Sequence, residues 1–368
     1  MYIIFGLIIL VFLFLLMFGI SFYYFRLIKR FCSIFIKDDV IGKKKKLLIL
    51  LSVILCLLSI NIFSIVGLFF MHFIFISLFI DMCFLIFRKN IKKKFFIKVY
   101  KSNLISLLLS IIILVYGFYN IINIVETRYI IYTDKKIEND LRILLISDSH
   151  YGDILNQDRL IKLKKKLDRV NADIVILGGD IVDETSTKED MEYVFDIFGD
   201  IQNKYGVYFV YGNHDRQQYS LNSKYSNDQL QKTILNNNIK ILKDNYIKLE
   251  NNIVLVGRDD YSFNRAKVAD ILSDVDKDNY IIMIDHQPVN YDENIKNGVD
   301  LIMSGHTHGG QIFPIEQFIK IFHTADLSYG YRKIEGMDAI VSSGLVGWGY
   351  PIRTSRNSEY VVIDVQQQ

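Results

Sequence analysis

No cysteine follows Cys83; the chain's three, Cys32, Cys56 and Cys83, all lie in its first third. The remaining two thirds therefore cannot rest on a disulfide framework and cannot bind a metal through thiolates. Net charge is equally scarce. The 43 Lys and Arg against 40 Asp and Glu leave +3, too little to argue for a nucleic-acid partner. Only three prolines occur, and there is no proline-rich linker, internal repeat or low-complexity tract. Charge of either sign is missing altogether from residues 2–25.

What is present is hydrocarbon, and it is unevenly spread. At 368 residues the chain is long enough for two structural units, and its 51% hydrophobic content is concentrated at the front. Residues 2–25 are apolar for long enough to cross a bilayer. Nothing basic precedes Arg26 and the bulky "SFYYF" closes the run, so an uncleaved helix is expected rather than a signal peptide. The run 47–87 exceeds one crossing and breaks softly at "NIFSIVG", which predicts helices near 47–63 and 67–87; a fourth span is expected at 104–122.

Basic residues punctuate these runs. Arg26, Lys29, Arg30, Lys37 and Lys43 to Lys46 follow the first span, and Arg88, Lys89, Lys92, Lys93, Lys94, Lys98 and Lys101 precede the last. Their placement at apolar boundaries suits topology better than a solvated cluster or nucleic-acid patch. With both loops cytoplasmic, everything after the fourth span becomes extracytoplasmic, in an integral protein of the cell membrane. Asp81, the one acid inside the spans and within two turns of Arg88, is expected to face a neighbouring helix or reach the interface, and His72 to be packed or interfacial. Residues 1–126 thus read as a membrane region, 127–140 as a connector and 141–368 as a catalytic or binding domain.

From residue 141 short β-branched runs such as "LRILLIS", "ADIVILGG" and "YIIMID" alternate with amphipathic stretches such as "KEDMEYVFDIFGDIQNK". The alternation predicts an α/β domain, and the nearly all-apolar strands predict sheets covered on both faces. Chemistry-bearing residues gather where these strands end. Asp148 and His150 follow the first, Asp180 and Asp183 the second, Asn213, His214 and Asp215 the third; His286 follows a later one, and His306 and His308 close the series. Each block alone has a bland explanation as a cap, a turn or a hydrogen-bonded core residue. Together they engage five of the chain's 7 histidines. Oxygen and imidazole donors without sulfur suit Mn, Fe or Zn, and there are more of them than one ion needs.

The ordered blocks "DSH", "GGDIVD", "GNHD", "DH" and "GHTHGGQ" resemble those of the calcineurin-like metallophosphoesterases, and the tail "SSGLVGWGYPIRTSRNSEYVVIDV" is similar to the ending of that superfamily's membrane-associated bacterial branch. The resemblance implies a four-layer αββα sandwich and two divalent ions. By resemblance Asp148, His150 and His308 hold one ion, Asn213, His286 and His306 the other, and Asp180 bridges them. His306 and His308 would then alternate along an extended segment to serve different ions, with Gly305, Gly309 and Gly310 allowing close backbone approach.

The expected reaction is hydrolysis of a phosphodiester or phosphomonoester, with His214 stabilising the phosphoryl oxygens or protonating the leaving group and Asp183 orienting His214. "GDIVDET" lacks the Arg-Gly that follows "GDxVD" in protein phosphatases, which disfavours that activity. Arg216, Arg258 and Arg353 are candidates either for phosphate contact or for surface ion pairs. The expected substrate is a membrane phosphoester such as a glycolipid or phospholipid head group; soluble nucleotides or other small esters are the alternative. A non-catalytic metal sensor and a carrier built from the spans are the competing classes, and the nearly pure hydrocarbon of the spans speaks against the carrier.

Overall fold

A computed structural model describes residues 2–89, 93–152, 154–250 and 252–368, with the side chains of residues 2–5 left aside. Lys92 of the second basic stretch lies outside the described residues. The chain divides into two compact units, Met1–Tyr116 and Gly117–Gln368.

The first unit is helical: α1 (Tyr2–Cys32), α2 (Asp38–Lys43), α3 (Lys45–Ile60), α4 (Ile65–Phe87), α5 (Lys94–Ser102) and the greater part of α6 (Leu104–Ile122). Among the described residues three helices, not the expected four, are long and apolar enough to cross a membrane: Gly6–Cys32, Ile65–Phe87 and Leu104–Ile122. The exception is α3. Its 16 residues reach about 24 Å, short of a hydrocarbon core of about 30 Å. It stops because local side-chain bonds offer the backbone another path. Asn61 Oδ1 accepts from Phe63 N at 3.2 Å, and Ser64 Oγ caps α4 by accepting from Gly67 N at 3.0 Å.

Within this unit Asp81 faces a neighbouring helix, α1. Arg30 Nη1 pairs with its Oδ1, and Tyr23 donates to Oδ2 at 3.0 Å. Arg30 also bonds Asn103 Oδ1 through Nε at 3.1 Å and lies 4.1 Å over the Tyr100 ring. His72 is buried, its Nδ1 2.8 Å from Leu68 O.

The second unit opens with the last turns of α6, and a strand follows almost at once. The expected connector is instead strand β1 (Val125–Thr133), separated from the helix by only Asn123 and Ile124. Eleven further strands follow: β2 (Leu141–Ile146), β3 (Ile174–Leu177), β4 (Val207–Phe209), β5 (Ile239–Ile241), β6 (Asn245–Lys248), β7 (Ile253–Gly257), β8 (Tyr280–Ile284), β9 (Leu301–Ser304), β10 (Gly330–Ile334), β11 (Met337–Val341) and β12 (Glu359–Gln367). They form two mixed six-stranded sheets, ordered β1-β12-β2-β3-β4-β5 and β10-β11-β9-β8-β7-β6. In the first, β2 to β5 run parallel, and β12 pairs antiparallel with β2 and parallel with β1. In the second, β7, β8, β9 and β11 run parallel.

The all-apolar strands are buried on both sides, as their composition requires. Successive β2 residues point oppositely. Ile143 and Leu145 join Leu255 and Ile282 of the other sheet in one core, while Leu144 and Ile146 join another with residues of the helices α7 (Gln157–Leu167), α8 (Lys188–Gly199) and α9 (Asn227–Asn236). The outer residues of the second sheet, such as Val254 and Ile302, pack with α10 (Val268–Ile271) and α11 (Tyr291–Lys296). Helix α8 shows why these segments are helical. A capping box of Thr187 and Asp190 satisfies its first amides, and Met191, Val194, Phe195 and Phe198 recur at one-face spacing and are all fully buried. Each phenylalanine contributes roughly 1.5–3 kcal/mol by leaving water. The last helix, α12 (Ile315–Phe322), follows the "GHTHGGQ" block.

Candidate metal centre

Every predicted ligand sits just past the carboxyl end of a parallel strand: Asp148 and His150 after β2, Asp180 after β3, Asn213 after β4, His286 after β8, and His306 and His308 after β9. Such ends are where open parallel sheets gather their functional loops. The backbone bends sharply there. Asp148, His150, Asp180, His306 and His308 all have positive φ, between 36° and 69°, a left-handed conformation that non-glycine residues adopt at a cost and that collects at functional sites. His306 and His308 are thus not on an extended segment as expected; two left-handed residues, rather than strand alternation, turn them apart.

The side chains form two groups, Asp148 with His150 and His308, and Asp180 with His286 and His306, whose donor atoms lie within 4.8 Å of one another in each group. Asp180 faces both groups. Its Oδ2 is 3.0 Å from His286 Nε2 and 3.9 Å from His150 Nε2. Asp148 Oδ1 accepts from His306 N at 2.9 Å, tying the β9 turn to the first group. Asn213 is buried, and its neighbours on both sides touch Asp180. His214 N donates to Asp180 Oδ1 at 2.8 Å, and a Cβ on Gly212 would stand 2.1 Å from that same oxygen. Gly305 is under the same constraint, since a Cβ there would meet Asp148 Oδ2 at 2.2 Å. The other two glycines of the block press instead on Arg356 and Glu316.

These residues fit divalent cations. Asp148 Oδ2, His150 Nε2 and Asn213 Oδ1 are buried without a hydrogen-bond partner, a costly state for polar atoms unless an ion completes them. Burial holds His306 down to about 4 and His308 to about 3, so both offer a neutral lone pair. Burial works against a proton on His286 as well, yet the Asp180 carboxylate outweighs it and pushes that group up to about 10; the proton occupies the place a cation would take. Its Nδ1 lies 2.8 Å from Gly178 O, which turns Nε2 toward Asp180.

His214 stands outside both groups, with Nδ1 2.7 Å from Glu184 Oε2. Burial lowers its proton affinity, but that carboxylate and the charge on Asp180 leave it above the ordinary value. The orienting acid is therefore Glu184 and not Asp183. Asp183 Oδ1 closes a tight turn by accepting from Thr185 N at 2.8 Å, which sends Oδ2 to within 3.3 Å of His150 Nδ1. The His214 ring lies 4.7 Å from that of Trp348 and 5.3 Å from that of Tyr219, both partly exposed.

Several supporting residues escape sequence reasoning. Asp215 Oδ1 and Oδ2 accept from Asp180 N, Ile181 N and Gly212 N at 2.7–2.9 Å, fixing the turn that carries Asp180. Gln311, the last residue of the fifth block, accepts from Trp348 N at 3.0 Å and donates to Tyr350 O. Arg353 is fully buried and donates to His308 O, Val346 O and Ser343 O at 2.6–2.7 Å, so it is neither a phosphate contact nor a surface ion-pair residue. Arg216 pairs with Asp259 at 2.7 Å and stacks 3.7 Å from Tyr211, while Arg258 bonds Asp244 and Ala266 O. Asp215 and Gln311 carried a signal by lying inside the third and fifth blocks, and Glu184 by lying one residue past the second; their supporting roles did not.

Chemistry of this kind belongs to metal-dependent hydrolases of phosphoric esters. Residues 141–310 match the family model described as calcineurin-like phosphoesterase, so this segment of the chain carries a domain of that kind. It is 29% identical over 249 residues to an uncharacterized metallophosphoesterase of Aquifex aeolicus, covering 65% of this chain and 90% of that one. To an uncharacterized metallophosphoesterase of Helicobacter pylori it is 31% identical, covering 62% of this chain and 60% of the other. A transmembrane protein with metallophosphoesterase domain of Danio rerio is 25% identical, over 73% of this chain and 63% of its own length.

Proposed function

We propose that this chain is a membrane-anchored, two-metal phosphoesterase that cleaves a phosphodiester or phosphomonoester presented at a bilayer surface, such as a lipid head group. The observation that carries this reading is the junction. Helix α6 ends at Ile122 and β1 begins at Val125, so the intervening residues extend only about 7 Å and hold the domain at the end of the apolar helix.

In this reading Asp148, His150 and His308 hold one ion, Asn213, His286 and His306 the other, and Asp180 is shared; the two sheets with helices packed outside them make the four layers of an αββα sandwich. Two bound cations would neutralise the charge of the ester and lower the pKa of a water beside it. The residues supply the rest. Glu184 engages Nδ1 of His214, which leaves Nε2 to give its proton to the departing alkoxide oxygen as the phosphorus–oxygen bond breaks. Trp348 and Tyr219 flank that ring and border the leaving group.

Orientation follows from α6 alone, whatever the number of crossings before it. Lys93, Lys94, Lys98 and Lys101 precede this helix, and the positive-inside rule puts them in the cytoplasm and the catalytic unit on the extracytoplasmic side. A reporter fused after Gln368 should be active only outside the cytoplasm; activity only inside would overturn this. For the substrate, the full chain in vesicles is assayed with added Mn against lipid phosphoesters and soluble nucleotides. Turnover of a vesicle lipid is expected, and rapid turnover of nucleotides with none of any lipid would reject the assignment.

A further inference from the structure

Helix α12 presents an apolar stripe to solvent directly beside the site. Phe318, Ile321 and Phe322 sit at i, i+3 and i+4 and are 49%, 65% and 69% exposed, and Phe313, just before the helix, is 47% exposed. The opposite side of the helix is fixed. Glu316 is buried, accepts from Lys320 Nζ at 2.7 Å and is gripped by Arg356 Nη2 at 2.8 Å. So many neighbouring aromatic and aliphatic side chains are seldom left in water without a partner.

What covers them is indicated by the turns of α6 that belong to the same unit. Arg353 N donates to Gly117 O at 3.0 Å, Asn120 Nδ2 to Arg353 O at 3.2 Å, and Ser358 N to Asn120 O at 3.2 Å. The segment from Arg353 to Ser358 is thus hydrogen-bonded along the last turns of an apolar helix and takes up the Asn120 carbonyl, one of those a helix end leaves without a partner. Phe313 N in turn donates to Thr354 Oγ1 at 2.9 Å, and the Thr354 side chain would be 3.1 Å from a Cβ on Gly117. Phe313 is therefore one hydrogen bond removed from a residue packed on the last turns of α6, the level at which that helix would leave a bilayer.

We propose that the Phe313, Phe318, Ile321 and Phe322 face is a second membrane contact, lying in the headgroup boundary of the bilayer that α6 crosses. An amphipathic helix of this composition sinks its apolar side roughly 5–10 Å into that boundary. The proposal rests on the anchoring by α6 proposed above and adds that the surface following the metal-binding block is itself wetted by lipid. Arg353, which holds the His308 carbonyl, then links the lipid-facing surface to the metal centre.

The test uses the full chain in nanodiscs holding one copy, with lipids brominated at a shallow acyl position as quenchers. Phe322→Trp should lose roughly half of its added emission to these lipids, as expected of a side chain at that depth. Leu235→Trp, on the exposed side of α9, should lose none. Val115→Trp, inside α6, reports the anchoring separately. Quenching of Val115→Trp without quenching of Phe322→Trp would overturn the proposal and leave the anchoring intact, whereas no quenching of either would overturn both. Quenching equal at Leu235→Trp and Phe322→Trp, or burial of Phe322→Trp seen only in discs holding two copies, would also overturn it, the latter by identifying a second chain as the occupant.

Discussion

Each unit of this chain contains a cluster of charged and polar side chains, part-buried in the first and buried in the second, and the two differ in how completely their atoms are used. In the helical unit Asp81, Arg30, Tyr23 and Asn103 answer one another: both Asp81 oxygens are engaged, and Asn103 Nδ2 continues the chain of bonds to Leu27 O at 3.3 Å. In the α/β unit Asp148 Oδ2, His150 Nε2 and Asn213 Oδ1 are fully buried and have no hydrogen-bond partner. A cluster closed upon itself fixes how helices pack. One that leaves donors facing a common point is prepared for something that arrives later.

Substitutions can break this contrast. Asp180→Asn should produce the largest effect, because one oxygen faces both ligand groups; both ions should be lost and turnover with them, by more than the roughly 10²–10⁴-fold expected of a missing general acid. Elemental analysis of active wild type that found one ion or none would refute the two-metal reading itself. His214→Ala should retain its metal content and lose about two to four orders of magnitude on an alkyl ester, with a smaller loss on a nitrophenyl ester whose leaving group needs little protonation. Equal losses on the two esters would remove His214 from the leaving-group role.

A finer test separates two adjacent acids. Glu184→Gln should lower kcat about tenfold on the alkyl ester and hardly change metal content, since it acts through His214. Asp183→Asn should instead weaken metal retention through His150. If Asp183→Asn gave the leaving-group effect, the assignment of these acids would be reversed. The smallest change in turnover, within about twofold, is expected for Asp81→Asn, which should show itself as a lower thermal midpoint in detergent, because it leaves the Arg30 guanidinium without its partner. Collapse of turnover at unchanged stability would end the distinction between the clusters.

The sequence discloses the site better than it discloses its supports. Each candidate ligand follows an apolar run that reads as a buried strand, and the resemblance of the five blocks to a known family then selects Asp148, His150, Asp180, Asn213, His286, His306 and His308 from the residues gathered there. Glu184 is missed by one place because a turn closed by the side chain of Asp183 decides which acid faces His214. Arg353 stands out as a candidate, but its role is hidden because its partners are carbonyls, which every residue carries. The fold shows the same division. Helix α8 is plain from its period, whereas β1 reads as a connector because its inner and outer residues alternate and its partner strand is remote in sequence. Helix α3 ends early inside an apolar run, where hydropathy alone has no means of marking a stop.

Strand β12 lies between β1 and β2, and this order has a consequence for biogenesis. The first strand to emerge after α6 has no neighbour until the chain has been made up to residue 367, about 230 residues later, which at 5–20 residues per second is roughly 10–50 s of synthesis. Throughout that time β1 is an unpaired edge, open to mispairing with any extended segment. Its outward residues include Glu126 and Arg128, which form an ion pair at 2.9 Å and make the waiting edge a poor template for aggregation. The nascent chain thus depends on its final strand to close the sheet, and truncation within β12 would leave an inserted protein that protease digestion recognises as unfinished.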